Sequence, residues 1–282
     1  HGVIRFADGA EFEVSDTQKR AGGVFAHVGK LISGSITIGD KADLSIDLER
    51  RSAIKANHSA THLLHAALRN VLGTHVTQKG SLVEADRLRF DFSHGQPVTK
   101  DELKAIEDQV NAVIRQNSEV STAEMAPEQA IENGALALFG EKYGDIVRVL
   151  TMGDHLEETS HYSMEFCGGT HVSRTGDIAV FTILTEGGVS SGIRRIEATT
   201  AKAGFEHLRG QAELAQSAAD RLKTPLSTLS DRIGALQDQR KELEKELSEA
   251  KRQLAMAGPA TGPAQGPEEI NGLKLMARVL DG

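Results

Sequence analysis

The sequence predicts an α+β protein, with a small N-terminal β-barrel, an α/β core built on an antiparallel sheet, and a C-terminal helical hairpin or coiled coil. Three observations carry this expectation. Short runs alternating apolar and polar residues, punctuated by turn residues, fill the first fifty positions; mixed helix and strand patterns continue to about residue 200; and leucines then recur every seven residues. The same composition shifts divide the chain into a barrel over 1–52, a core over 53–200, a helical segment over 201–257, and a linker with the start of a further domain over 258–282.

The barrel is read from Val3-Ile4-Arg5-Phe6, Glu11-Phe12-Glu13-Val14, Val24-Phe25-Ala26-His27-Val28, Ser35-Ile36-Thr37-Ile38 and Ala42-Asp43-Leu44-Ser45-Ile46, with Asp8-Gly9 and Gly39-Asp40 as turns. So small a module has a thin core and is expected to pack on the segment after it. A helix is expected over 53–72, capped by Ser52 and stopped by Gly73. Two strands, 74–83 and 87–92, come next, with Leu88, Phe90 and Phe92 on the buried face. Thr99-Lys100-Asp101-Glu102 is a capping box opening a helix to about Asn117, whose buried stripe is Leu103, Ile106, Val110 and Val113. A strand over 119–125, a short helix from Pro127 to Asn133-Gly134, and a strand over 146–152 precede a polar loop at 153–161. Strands over 177–184 and 192–199 flank the glycine-rich loop 186–191, which either approaches a ligand or is a plain hairpin.

From residue 201 the pattern is helical, first to Leu222 and then from Thr224-Pro225 to Ala257. Leu222, Leu229, Leu236, Leu243 and Ala250 form one heptad row, and Leu226, Ile233, Arg240, Leu247 and Leu254 the other. A seam on a helix about 50 Å long needs a partner, either the preceding helix or a second chain, so a homodimer through these helices is one expectation. Gly258-Pro259 ends the helix, and the Gly/Pro-rich run to Pro267 reads as a linker.

The chemistry rests on two separated stretches. In Asn57-His58-Ser59-Ala60-Thr61-His62-Leu63-Leu64-His65, helical spacing puts His58 and His62 on one face, able to meet one ion. In Phe166-Cys167-Gly168-Gly169-Thr170-His171-Val172, the single cysteine stands four residues before a histidine, and the glycines let the backbone fold back between them. His58, His62, Cys167 and His171 together offer three imidazole nitrogens and a thiolate, a donor set suited to zinc, which completes the predicted core. A four-ligand site is usually structural, whereas hydrolytic zinc keeps a position open, and the sequence leaves both readings standing. The His-Glu-x-x-His pattern of metallopeptidases is absent, since Ser59, Ala60 and Thr61 occupy the intervening positions.

Composition narrows the setting. At 39% hydrophobic residues with no apolar run of roughly 18–20 residues, nothing reads as a membrane span. One cysteine excludes an internal disulfide framework and suits a reducing, cytoplasmic compartment. A net charge of −8 argues against a uniformly nucleic-acid-binding surface, but Lys79, Arg87, Arg89, Arg174, Arg194 and Arg195 could form a local basic strip. A chain that opens on His1 and closes on Gly282 just after an apolar run is expected to be a piece of something longer.

The ligand stretches resemble the editing domain of alanyl-tRNA synthetase. The resemblance continues through Gly73-Thr74-His75-Val76, Gln78-Lys79-Gly80-Ser81-Leu82-Val83, Leu88-Arg89-Phe90-Asp91-Phe92-Ser93-His94, Ala137-Leu138-Phe139-Gly140-Glu141-Lys142-Tyr143-Gly144 and Gly192-Ile193-Arg194-Arg195-Ile196-Glu197-Ala198. Threonyl-tRNA synthetase carries a related domain, but the Cys-Gly-Gly-Thr-His wording and the helical tail are similar to the alanyl enzyme. The resemblance implies zinc-associated hydrolysis of serine or glycine wrongly esterified to alanine-specific tRNA, with Thr61 and Gln78 recognising the serine hydroxyl. Rivals are a free-standing editing protein and a non-catalytic, zinc-stabilised RNA-binding or oligomerisation module.

Overall fold

The computed structural model describes residues 1–137, 143–154, 161–257, 268–271 and 273–275. The chain forms two compact units, His1–Arg209 and Gly210–Gly282, and is a mixture of helices and antiparallel sheets. Among the described residues, no helix is long and apolar enough to cross a membrane.

The first unit opens with β1 (Gly2–Phe6), β2 (Glu11–Lys19), β3 (Phe25–Ser33) and β4 (Ala42–Ile46), an antiparallel sheet in the order β3-β2-β1-β4. Ile4 stands opposite both Phe12 and Leu44, and Phe12 opposite Leu31, so these four side chains make an apolar row across one face. That row is what the alternating runs encode. Closure into a barrel is not among the described pairings, because no ladder joins β3 to β4. The run Ser35-Ile36-Thr37-Ile38, expected as a strand, is instead bent into a turn by Asp40, whose carboxylate accepts from the Thr37 N–H at 2.7 Å while its own N–H donates to the Thr37 carbonyl.

α1 (Leu48–Leu72) starts earlier than the sequence suggested, because Asp47 rather than Ser52 is its cap: the Asp47 carboxylate accepts from the Arg50 N–H at 2.9 Å. Gly73 ends it at φ +114, as expected. Then come β5 (Gln78–Val83), β6 (Leu88–Ser93) and α2 (Lys100–Gln116), the last opened by the predicted Thr99/Glu102 capping box. β7 (Ser121–Met125), α3 (Pro127–Glu132), β8 (Val147–Asp154), β9 (His161–Phe166), β10 (Phe181–Ser190), β11 (Ile193–Thr200) and α4 (Ala201–Arg221) complete the series. Two further antiparallel sheets result, β10-β11-β6-β5 and β7-β8-β9. The 186–191 loop is therefore a hairpin, with Gly187 and Gly188 paired to Arg195 and Arg194.

The core joins Leu63, Leu64 and Leu68 of α1 to Phe90 and Phe92 of β6, Ile106 and Val110 of α2, and Leu150, Ile178, Phe181 and Ile196, all fully or nearly fully buried. Each such side chain contributes about 1.5–3 kcal/mol by leaving water. Asn57, also buried, clamps α1 to both ends of the β5-β6-β11 group: its amide donates to the Glu84 and Ala85 carbonyls, and its oxygen accepts from the Thr200 hydroxyl at 2.7 Å.

Two parts of the expected pattern differ or fall outside. β9 occupies positions where the sequence showed only the end of a polar loop and an approach to Cys167. His155 in that loop, and Leu138 to Lys142 of the quoted motif, lie outside the described residues. In the second unit, α5 (Leu229–Ala257) is preceded by a 3-10 turn at Leu226–Thr228, since Pro225 is extended at ψ 147 and delays the helix beyond the predicted start. β12 (Glu268–Ile270) and β13 (Leu273–Leu275) make a small hairpin. Leu243, Leu247 and Leu254 of the heptad rows are more than half exposed, so these positions show no packed coiled-coil seam.

Candidate metal centre

α1 carries its histidines where two elements converge. Its His58 and His62 meet Cys167 and His171, which come just after β9, and one donor atom from each residue falls within 4.8 Å of all the others. The Cys167 sulfur lies 3.6 Å from His58 Nε2 and 3.3 Å from His171 Nε2, and the three rings stand with centroids 4.3–5.3 Å apart.

The loop bearing Cys167 and His171 is held at several points. Cys167 N–H donates to the Arg148 carbonyl on β8, and the Arg148 guanidinium donates to the Gly169 carbonyl at 2.6 Å. Further on, Val172 N–H donates to Ser59 Oγ, and Thr175 N–H to the Ser118 carbonyl. Of the two glycines, only Gly169 is dictated by space: a Cβ there would lie 2.2 Å from His58 Cε1, whereas one on Gly168 would meet nothing within 4 Å. Residue spacing alone gives both glycines the same standing.

Each histidine is oriented through its other nitrogen. His58 Nδ1 donates to the Thr170 carbonyl at 3.3 Å, and His62 Nδ1 to the Glu165 carboxylate at 2.5 Å. His171 Nδ1 meets Ser59 Oγ at 3.2 Å. A carbonyl or a carboxylate can only accept, so His58 and His62 each hold a proton on Nδ1, and Nε2 is the nitrogen turned to the centre.

The donor set fits a metal ion. His62 Nε2 is buried with no hydrogen-bond partner, a state that costs roughly 1–3 kcal/mol and that coordination would relieve. Burial opposes charge on Cys167, yet hydrogen bonds from His171 and His58 outweigh it and bring the thiol down to about 3, so the sulfur is a thiolate at neutral pH. Burial likewise opposes charge on His62 and Glu165, but their mutual attraction prevails: the carboxyl sits well below its ordinary range and the imidazole well above its own. An incoming ion must therefore displace a proton from His62.

The other expected site residues are placed less decisively. Thr61 is buried beside His62, its hydroxyl donating to the Asn57 carbonyl at 2.9 Å. Gln78 begins β5, with its amide 3.5 Å from Ser81 Oγ. Four of the six cations of the expected basic strip are matched to carboxylates: Arg195 and Arg89 to Asp91, Arg194 to Glu186 and Arg87 to Glu84. Ser59, Glu165 and His65 were not singled out by the sequence as parts of the site. Glu165 had no readable signal, being brought to α1 only by the unforeseen strand β9.

Comparison with known proteins gives this chain relatives. Residues 147–197, which include β8, β9 and the Cys167/His171 loop, match the "Threonyl and Alanyl tRNA synthetase second additional domain". Over all 282 residues the chain is 61% identical to the alanine–tRNA ligase of Hyphomonas neptunium and 56% identical to that of Caulobacter sp. (strain K31). It is 53% identical over 284 aligned residues to that of Parvibaculum lavamentivorans. The whole of this chain is covered each time, but it spans only 32% of the length of each relative. With the second additional domain shared by threonyl and alanyl tRNA synthetases at its Cys167/His171 loop, the chain is similar along its whole length to part of alanyl-tRNA synthetase.

Proposed function

We propose that this chain is an editing module of an alanyl-tRNA synthetase, hydrolysing the ester that joins serine or glycine to alanine-specific tRNA, with residues 53–200 as the hydrolytic domain. The observation that carries this is the convergence of His58, His62, Cys167 and His171, in a chain similar throughout to part of alanine–tRNA ligases, into one three-nitrogen, one-sulfur group. Zinc is the ion that suits such donors, and once bound it supplies Lewis acidity and a fixed positive charge beside the ester.

The need for such a site arises from the size of the substrates. A synthetic pocket shaped for alanine's methyl group admits glycine and rejects one added hydroxyl only modestly, so a second sieve must remove the errors. Thr61 suits that role for serine. Its proton is committed to the Asn57 carbonyl, which leaves the oxygen lone pairs to accept from a serine hydroxyl. Alanine would leave that acceptor unpaired, and the site discriminates by this difference. Gln78, lightly held by Ser81, is the proposed second contact. An aminoacyl ester is already reactive, so holding the tRNA end and one water in register serves the reaction without a strong base. Water adds to the carbonyl and the ribose oxygen leaves with a proton, giving free amino acid and tRNA.

A second reading has one observation in its favour. Four protein donors fill a tetrahedral ion, which is the arrangement of a structural site. The ion would then brace a tRNA-binding or oligomerising module, the exposed leucines of α5 offering a dimer seam. Deacylation of seryl-tRNA by this chain, measured with and without chelator and with His62→Ala, separates the two. We expect His62→Ala to lose zinc and hydrolysis together, by at least tenfold. Full hydrolysis by metal-free protein would assign the ion a bracing role, and no hydrolysis by zinc-loaded protein would overturn the editing function.

A further inference from the structure

Glu165 is a fully buried carboxylate between two imidazoles. One oxygen accepts from His62 Nδ1 at 2.5 Å and the other from His65 Nδ1 at 2.7 Å. His62 and His65 are one helical turn apart, so they share a face of α1, and β9 points Glu165 at that face two residues before Cys167. The backbone around Glu165 is held on both sides. It pairs with Leu150 on β8, while the flanking residues bond to Leu136: Leu136 N–H donates to the Met164 carbonyl and Phe166 N–H to the Leu136 carbonyl. His65 itself is buried against Phe90, the rings 5.3 Å apart.

We propose that Glu165 is the positioning residue of the metal centre, fixing His62 in the tautomer and rotamer that turn Nε2 to the ion, with His65 anchoring the carboxylate in turn. This rests on the metal-site reading above. Three features separate it from a merely packed ion pair. Of the three ligand histidines, only His62 has a charged outer partner, since His58 and His171 are held by a carbonyl and a hydroxyl at 3.3 and 3.2 Å. His62, held by Glu165 through Nδ1, gives one donor to the four-residue group, whereas His65, whose Nε2 is equally buried and unpartnered, gives none. And His65 contributes no donor to the cluster, although it lies on the same helix face, so its role is to hold Glu165. A carboxylate behind a ligating imidazole both orients the ring and makes it a better donor.

The test uses the full 282-residue chain. Zinc affinity by chelator competition and the cobalt(II) absorption spectrum are recorded for wild type, Glu165→Gln and His65→Leu, with circular dichroism to monitor the fold. Glu165→Gln is expected to weaken zinc about 10–100-fold and to shift the cobalt bands, and His65→Leu to fall between it and wild type. Zinc affinity within about threefold of wild type in either folded variant, with unchanged cobalt bands, would overturn the proposal. Should Glu165→Gln fail to fold, His65→Leu decides alone. Failure of the wild-type chain to bind zinc at all would instead remove the metal-site reading beneath it.

Discussion

Gly169 shows how closely the centre is specified. Its Cα sits so near the His58 ring that even one methyl group would overlap Cε1, at 2.2 Å, whereas Gly168 one position earlier faces open space. Gly169→Ala should therefore push His58 aside and weaken zinc binding by at least tenfold, while Gly168→Ala leaves it within about twofold; isothermal titration of the two variants checks this. Sequence spacing singled out the four residues that cluster here because helix periodicity and a short glycine turn are local signals. It could not tell which glycine is obligatory or find the partners of the ring nitrogens. Those depend on contacts between residues such as Ser59 and His171, 112 positions apart.

Among the elements, α1 does most to place the site. Its middle turns carry His58 and His62, and Asn57 ties it to the β5–β6 turn and to the end of β11. Asn57→Ala leaves two carbonyls and the Thr200 hydroxyl short of a partner in a buried region, and is expected to cost about 2–3 kcal/mol in urea unfolding. A loss below about 0.5 kcal/mol would show that α1 is held by its apolar face alone. The helices with strong periodicity and caps, α2 above all, were readable from residue order alone, as were Leu88, Phe90 and Phe92 of β6. The start of α1 was not, because Asp47 and Ser52 are both good caps and only the geometry chose between them. Nor was the turn at 34–41, where Asp40 outcompetes the strand preference of Ile36 and Ile38.

For the molecule as a whole, charge pairing across the central sheet ties stability to pH. Asp91 on β6 receives two hydrogen bonds from Arg195 on β11, at 2.6 and 2.8 Å, and these outweigh its partial burial to hold the carboxyl below its ordinary value of 3.8. A depressed folded-state value means that the contribution is complete above about pH 4 and is lost as the pH falls through the folded-state value. Asp91→Asn should thus lower stability at pH 7 by on the order of 1 kcal/mol, with the gap to wild type closing below pH 4 in acid-titrated unfolding. A gap that persists unchanged into acid would contradict the assignment.

The mixed helix-and-sheet class, the existence of the helices and the four clustering residues were legible because each is written in local periodicity, whereas barrel or coiled-coil closure and β9 depend on pairings between distant segments. The two halves of the metal centre are themselves such a pairing, since His58 and Cys167 lie 109 positions apart. A chain still assembling cannot capture the ion with all four donors, for the second pair arrives only once β8 and β9 have closed against α1. Metal uptake would thus be a check on completed folding, and an ion seated there would act as a clasp over that long loop, slowing the separation of the helix from the sheet.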